Sequence, residues 1–216
     1  MKNLNVIQIK AEETHDWFKN RHYAKTLPKC TSYAFGLYDG AYLIGVVSYG
    51  DPTGRFVLQA MLGEEQEHPI LELNRLCLLE NEKNYASFLI GKSLKLLPKP
   101  NIIISYADTS TNHAGYIYQA TNFIYCGLTS RKRDWKIIGS NKHPRGVILT
   151  DEMKADKSKY EQVERPQKHI YIYYLGNKKQ KKQFMANLKY EILPYPKTEN
   201  KYYETTFVPT TQMALI

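Results

Sequence analysis

The chain has 216 residues, 43% hydrophobic and 24% charged, long enough to bury a core without staples and too apolar for a disordered chain. Its 30 Lys and Arg against 21 Asp and Glu leave a net charge of +9, which favours a polyanionic partner because each neutralised phosphate releases counterions. Cys30, Cys77 and Cys126 are too few and scattered for a disulfide framework or a zinc motif, and no apolar run suits a signal peptide or a membrane span, so a cytoplasmic protein with no membrane partner is expected.

Leu4 to Ile9 reads as a short first strand. Glu12-Glu13-Thr14 opens a helix through His22, with acidic residues at its positive end, and Pro28 stops it. Two apolar runs, Tyr33 to Tyr38 and Leu43 to Tyr49, flank Asp39-Gly40. That pattern predicts a hairpin with both turn residues at positive φ. After a loop at Asp51 to Arg55, Ile70 to Leu79 predicts a strand with Leu71, Leu73, Arg75 and Cys77 on one face.

Asn84 is placed to cap a helix ending near Leu97, just before Pro98. The β-branched run Ile102-Ile103-Ile104 with Ser105-Tyr106 suits a strand covered on both faces. A helix over His113 to Thr121 and a strand near Phe123 to Cys126 follow. Lys154 to Gln167 is charged and reads as a connection, His169 to Tyr174 as a late strand, and Lys178 to Lys189 as a basic helix. One domain over 1–197 and a tail over 198–216 are expected. This order predicts a mixed α/β fold, a central sheet flanked by helices.

Several residues carry chemistry under one reading and plain structure under another. Asp108 ends the buried strand, where catalytic groups of open α/β sheets gather, yet an aspartate there also suits an Asx-turn. Tyr116, Ile117, Ala120 and His113 share one helical face, and Tyr118 points away from it, toward solvent or toward a base. His22, followed by Tyr23, either meets carbonyls at a helix end or serves as a metal ligand or general base. Arg75 sits mid-strand and needs an anion, from Asp108, from Glu72 or from a substrate. Ser93 lies in the middle of an apolar helix face, either back-bonded to a carbonyl or donating to a ligand. Arg131-Lys132-Arg133 and the run with Lys178, Lys179, Lys181 and Lys182 are candidate phosphate contacts or solvated faces. Tyrosine, at 18 residues against 7 Phe and 2 Trp, adds flat stacking surfaces with polar tips. No phosphate loop, dinucleotide fingerprint or paired-cysteine deaminase signature occurs.

His22-Tyr23, Leu73-Asn74-Arg75-Leu76, Asn84 with Ser87-Phe88, Ser105-Tyr106-Ala107-Asp108 and Gly115-Tyr116-Ile117-Tyr118-Gln119-Ala120-Thr121-Asn122 together resemble the Mom family of phage DNA-modification proteins. The similarity runs over about residues 15 to 197. It implies a GNAT-like, acyltransferase-type fold. It also implies conversion of adenine in duplex DNA to its N6-carbamoylmethyl (acetamido) form, which protects phage DNA from restriction. On matching positions it points to Asp108, His22, Tyr23 and Tyr118 as catalytic and to Arg75 and Ser93 as substrate or cofactor contacts; His113 joins the latter from its helix face. The basic runs would bind DNA, and an iron(II) requirement would draw on His22 and Asp108. The small-molecule donor is left unassigned. The glycine-rich turn with which GNAT enzymes bind the pyrophosphate of acetyl-CoA has no glycine here between 81 and 87, which counts against acetyl-CoA.

Two rivals stand beside this reading. An ordinary N-acetyltransferase on a peptide or small amine needs tight acetyl-CoA binding and no DNA. A non-catalytic DNA-binding, anti-restriction protein binds DNA in a salt-dependent way and leaves its mass unchanged.

Overall fold

Among the described residues, seven strands form one mixed sheet and two more pair as a separate ribbon. The computed structural model describes residues 3–197 except 55, 65–67, 81, 112–113, 142–143, 145–146 and 148–149. The expected 198–216 tail and His113 lie outside the described residues.

Strand β1 (Leu4–Ile9) pairs antiparallel with β2 (Tyr33–Asp39), which turns into β3 (Tyr42–Gly50). Asp39 still pairs with Tyr42, so the turn is Gly40-Ala41, and Gly40 takes positive φ where Asp39 and Ala41 do not. A glycine first in a two-residue hairpin turn is the type II′ pattern. The expected turn was therefore displaced by one residue.

Between β1 and β2 the predicted helix is irregular: a 3-10 turn over Ala11–Thr14 and a π-helical turn over Trp17–Arg21. The His22 N–H bonds the Trp17 carbonyl at 3.0 Å, the wide spacing of a π turn. Trp17 and Phe18 are buried, and the Arg21 guanidinium lies 4.7 Å from the Trp17 ring centre.

Strand β4 (Ile70–Leu78) pairs with β3 through a bulge: Tyr49 faces Leu73 and Ser48 faces Arg75, so Asn74 is the extra residue. A bulge reverses which side chains point to which face. Leu71 and Leu73 pack beneath α2 (Tyr85–Leu96), as do Leu76 and Leu78 beyond the bulge. Cys77 instead joins Trp17, Phe18 and Val46 under the opposite face. The simple alternation of Leu71, Leu73, Arg75 and Cys77 is broken there, and Arg75 turns toward the His22 side.

Strand β5 (Asn101–Asp108) is central, and Ile102, Ile103 and Ile104 are fully buried. Ile103 joins the core under α2, while Ile102 and Ile104 join Met61 of α1 (Val57–Leu62), Ile172 and Phe184 on the other side. A short α3 (Tyr116–Ala120) leads into β6 (Ile124–Leu128), and β9 (Lys168–Leu175) lies between β5 and β6. Helix α5 (Lys178–Asn187) is capped by Asn177, which accepts from the Gln180 N–H. It docks through Phe184, stacked on Tyr174 at 4.8 Å.

The charged segment read as a connection is a strand. β7 (Lys132–Ile137) and β8 (Tyr160–Arg165) form the two-stranded ribbon, with α4 (Asp151–Ala155) between them in sequence. The ribbon has no buried face, so its sequence carries no apolar alternation to read. No helix among the described residues is long and apolar enough to cross a membrane.

Phe184 is the fully buried anchor of an otherwise polar helix. Phe184→Ala should lower stability by about 3 kcal/mol or more, read as a lower urea midpoint.

Candidate functional site

The parallel pairing of β4 with β5 runs only through Ile70–Ile102, Leu71–Ile103 and Glu72–Ile104. Beyond it both strands continue, to Leu78 and Asp108, without pairing. The Ser105 hydroxyl donates to the Leu73 carbonyl at 2.8 Å and closes the apex of the wedge. Past that apex lies a cavity of about 490 Å³, within the range of small-molecule sites.

Because the gap interrupts the sheet, both faces contribute walls. His22, Tyr23, Glu72, Arg75, Tyr106 and Lys168 line it on the side of the π turn, and Leu76, Leu78, Ala86, Ser87, Ile117 and Tyr118 on the side of α2 and α3.

The π turn delivers His22 to this wall. Its ring packs against Tyr23 at 4.4 Å and edge-on to Phe18 at 6.2 Å. Burial, with the Arg75 charge second, lowers its pKa to about 3. The imidazole is therefore neutral at physiological pH. Its Nδ1 accepts the Ala24 N–H at 3.1 Å, so the ring proton resides on Nε2 and that atom is a donor. Tyr23 is 40% exposed. Burial raises its phenol pKa, Arg75 lowers it and Asp108 raises it, so Tyr23 stands in the field of both charges.

Arg75 donates to the Asn74 carbonyl at 2.7 Å and to the Thr26 hydroxyl at 3.3 Å, and its buried Nε has no partner. Neither expected carboxylate neutralises it. Glu72 accepts the Thr53 N–H and hydroxyl, at 2.9 and 2.8 Å. Asp108 accepts the Ser110 N–H at 3.0 Å and its hydroxyl at 2.6 Å, and its other oxygen lies 3.9 Å from Lys168 Nζ. Of the three expected anions, only a substrate remains for Arg75. Asp108 makes the Asx-turn and does not itself line the cavity; its partner Lys168 is part of the wall.

Tyr118 is buried, not turned to solvent, and Tyr116 is the exposed tyrosine of α3 at 45%. The expected face is reversed because five residues make barely more than one turn, and aromatic packing sets the orientation. Tyr118 lies 5.1 Å from Tyr171 and 5.5 Å from Phe123. The nearby Ser105 side chain lowers the pKa of its hydroxyl, but burial outweighs it and pushes that pKa up to about 12. Gly115 begins the turn at φ +71°, where an added Cβ would meet Tyr171, Tyr118 and Ala107 at 2.7, 2.9 and 3.0 Å. Tyr171 donates to the Ala114 carbonyl, and Gln119 Nε2 donates to the Tyr171 hydroxyl at 3.1 Å. The Gly-Tyr-Ile-Tyr-Gln-Ala stretch is thus a clamp that holds Tyr118 in the gap.

Ser93 lies in the core, away from the cavity wall. It is fully buried, donating to the Ile90 carbonyl at 3.0 Å and accepting from Tyr49 at 2.7 Å. At the start of α2, Asn84 takes the left-handed conformation at φ 68°, a role usually given to glycine. The missing glycine therefore does not prevent the turn, and Ala86 and Ser87 of the first helical turn face the cavity.

Arg131 to Arg133 lie at the start of β7 and Lys178 to Lys182 in α5. Reading the sequence missed Lys168 and Ser105. A lone hydroxyl directly after a run of isoleucines was the available signal for Ser105; Lys168 gave none.

The donor set does not fit a resident iron. A neutral imidazole ligating through Nε2 must carry its proton on Nδ1, but that atom accepts the Ala24 N–H. Arg75 adds a positive charge beside it, and no three His, Cys, Asp or Glu side chains converge among the described residues.

The model of the Mom protein family matches residues 3–197. The chain is 26% identical over 212 residues to the protein named methylcarbamoylase mom from Escherichia phage Mu, covering 91% of this chain and 85% of that protein. Among solved structures, Arabidopsis thaliana NAA60 in complex with acetyl-CoA superposes with a TM-score of 0.50 at 11% identity, over 80% of this chain and all (100%) of that one. A GNAT-family acetyltransferase from Bacillus cereus gives 0.41 at 13% identity, over 79% and 96%. The fold is that of the GNAT acetyltransferases, a mixed central sheet flanked by helices.

Two predictions follow from this geometry. Gly115→Ala should lower the melting temperature by several degrees, since the strained φ and three short contacts act together. His22 has a folded pKa of about 3 against 6.5 unfolded. Between those values only the unfolded chain binds the proton, so stability falls as pH drops below 6.5. Urea titrations from pH 7 to 4 should show a slope steeper by up to about 1.4 kcal/mol per pH unit than in His22→Gln.

Proposed function

The chain belongs to the Mom protein family, and from that premise we propose that it transfers a carbamoylmethyl group to N6 of adenine in duplex DNA, shielding phage DNA from restriction. The observation that carries this reading is the cavity through the sheet, with His22, Tyr23 and Arg75 in one wall and Asp108 beside the wall lysine Lys168. The name of the phage Mu relative, methylcarbamoylase, supports transfer of a small carbamoyl-bearing group of that composition.

The target base leaves the duplex at a cost of a few kcal/mol, recovered by stacking and hydrogen bonds in the pocket. Tyr23 offers its ring to the base, and His22 Nε2–H is a fixed donor for a ring nitrogen. Because His22 stays neutral, the donor is present across the physiological range and adds no second positive charge beside Arg75.

The N6 amine is a poor nucleophile, its lone pair being shared with the ring. Asp108 takes the amine proton as the new N–C bond forms; the Ser110 hydrogen bonds and Lys168 hold the carboxylate in place. The small-molecule donor enters from the α2 side. Its anionic group lies against the first turn of α2 or on Arg75, and the carbamoylmethyl group is held through its methylene carbon: as N6 bonds that carbon, the bond from it to the rest of the donor breaks and the leaving group departs with the electron pair. The Tyr118 phenol, protonated at neutral pH, supplies a hydrogen bond to the departing group. Ser93 supports this wall indirectly, by tying α2 to Tyr49 of β3.

Nucleoside mass spectrometry of plasmid DNA from cells making the protein should show an adenine species heavier by the carbamoylmethyl group. Asp108→Asn should reduce that species by about 100-fold or more. Unmodified DNA from cells with abundant folded wild-type protein contradicts the reading.

A further inference from the structure

The two basic runs lie at opposite ends of the sheet. β9 pairs with β5 from Lys168–Asp108 at one end to Leu175–Asn101 at the other, a span of roughly 23 Å at the rise of an antiparallel strand. The lysines of α5 begin just beyond Leu175 and so sit at the end away from the cavity mouth.

The ribbon of β7 and β8 leaves the sheet at the mouth itself. The Gln167 carbonyl accepts both the N–H and the hydroxyl of Thr109, at 3.2 and 2.8 Å, immediately after Asp108. Gln167 Nε2 donates to the Thr129 carbonyl at 2.6 Å, and Thr129 and Lys168 exchange bonds of 2.8 and 3.0 Å. The base of the ribbon, the turn after Asp108 and the cavity-wall Lys168 are one hydrogen-bonded unit.

Arg131, Lys132 and Arg133 are exposed at this base; Arg133 stands opposite Glu164 across the ribbon, and among the described residues none of the three comes within ion-pair distance of a carboxylate. Lys132 stands directly opposite Arg165, a like-charge pair that costs stability. Arg165 is committed to a bidentate bond with Asp134, which leaves Lys132 for an outside anion. Farther along, Lys157 lies over the Trp135 ring at 5.8 Å. A two-stranded ribbon is also of a size the DNA major groove admits.

We propose that this ribbon is the arm on which duplex DNA docks, that Arg131, Lys132 and Arg133 grip its phosphates beside the mouth, and that the α5 lysines take no part. The inference rests on the reading that DNA is the substrate, and it adds where the duplex lies.

The test compares wild type with two variants, R131A/K132A/R133A and K178A/K179A/K181A/K182A. Binding of a fluorescent duplex is measured against salt, and modified adenine is counted in cells. The arm variant should flatten the log–log salt slope by about 2.7, given ~0.9 per phosphate contact, and lose most of the modification. The helix variant should keep both. A circular dichroism melt checks folding, and R131K/R133K, which retains charge, should restore the slope if the arm variant's loss is electrostatic. An unchanged slope in the arm variant, or a loss confined to the helix variant, overturns the docking surface even when wild type modifies DNA. If wild type binds through the arm yet leaves adenine unmodified, the docking surface stands and the catalytic reading fails.

Discussion

The parting of β4 from β5 is the constraint on which the rest of the molecule depends. Two adjacent parallel strands ordinarily continue their ladder, and leaving backbone groups unpaired is costly. Here the Asn74 bulge bends β4 away, and the Ser105 hydroxyl fixes the point where separation starts. Asn74 itself is held by Ser48 at 2.6 Å and by the Cys30 carbonyl at 3.0 Å. The gap is thus built into the sheet. It lets groups from opposite faces meet in one cavity without crossing the core.

The electrostatics of that cavity follow from the same bulge. Reversing the facing of β4 turns Arg75 toward His22 and Tyr23, where its charge helps keep the histidine neutral. The carboxylates that offer themselves as partners are occupied elsewhere, Glu72 by Thr53 and Asp108 by Ser110 and Lys168. A half-buried guanidinium without an ion-pair partner among the described residues, and with an orphaned Nε, costs stability. Such a cost is expected where the missing anion arrives with a ligand.

Much of the fold was legible in the sequence because its central elements obey simple periods. The isoleucine run of β5 and the apolar face of α2 announced themselves, and Asn84 marked the helix start. What escaped had a physical cause in each case. The bulge in β4 is an irregularity that alternation cannot express, so Arg75 was assigned a face it leaves. The β7–β8 ribbon has no fully buried residue, so it carries no clean apolar alternation to read. Tyr118 lies on a helix of five residues, where aromatic neighbours decide orientation. The candidate site was legible mainly through resemblance. His22, Tyr23, Arg75 and Tyr118 do come together at the cavity, with Asp108 behind its wall lysine Lys168, whereas Ser93 is enclosed in the core and His113 lies outside the described residues.

The central claim is that adenine enters the gap between the two strands from the side of His22 and Tyr23. A crystal structure with a duplex containing the modification site tests it most directly. The account predicts one adenine turned out of the stack, its ring against Tyr23 and its N6 within about 3.5 Å of the Asp108 carboxylate. A duplex bound with every base stacked, or an extruded base seated away from Tyr23 and Asp108, contradicts it.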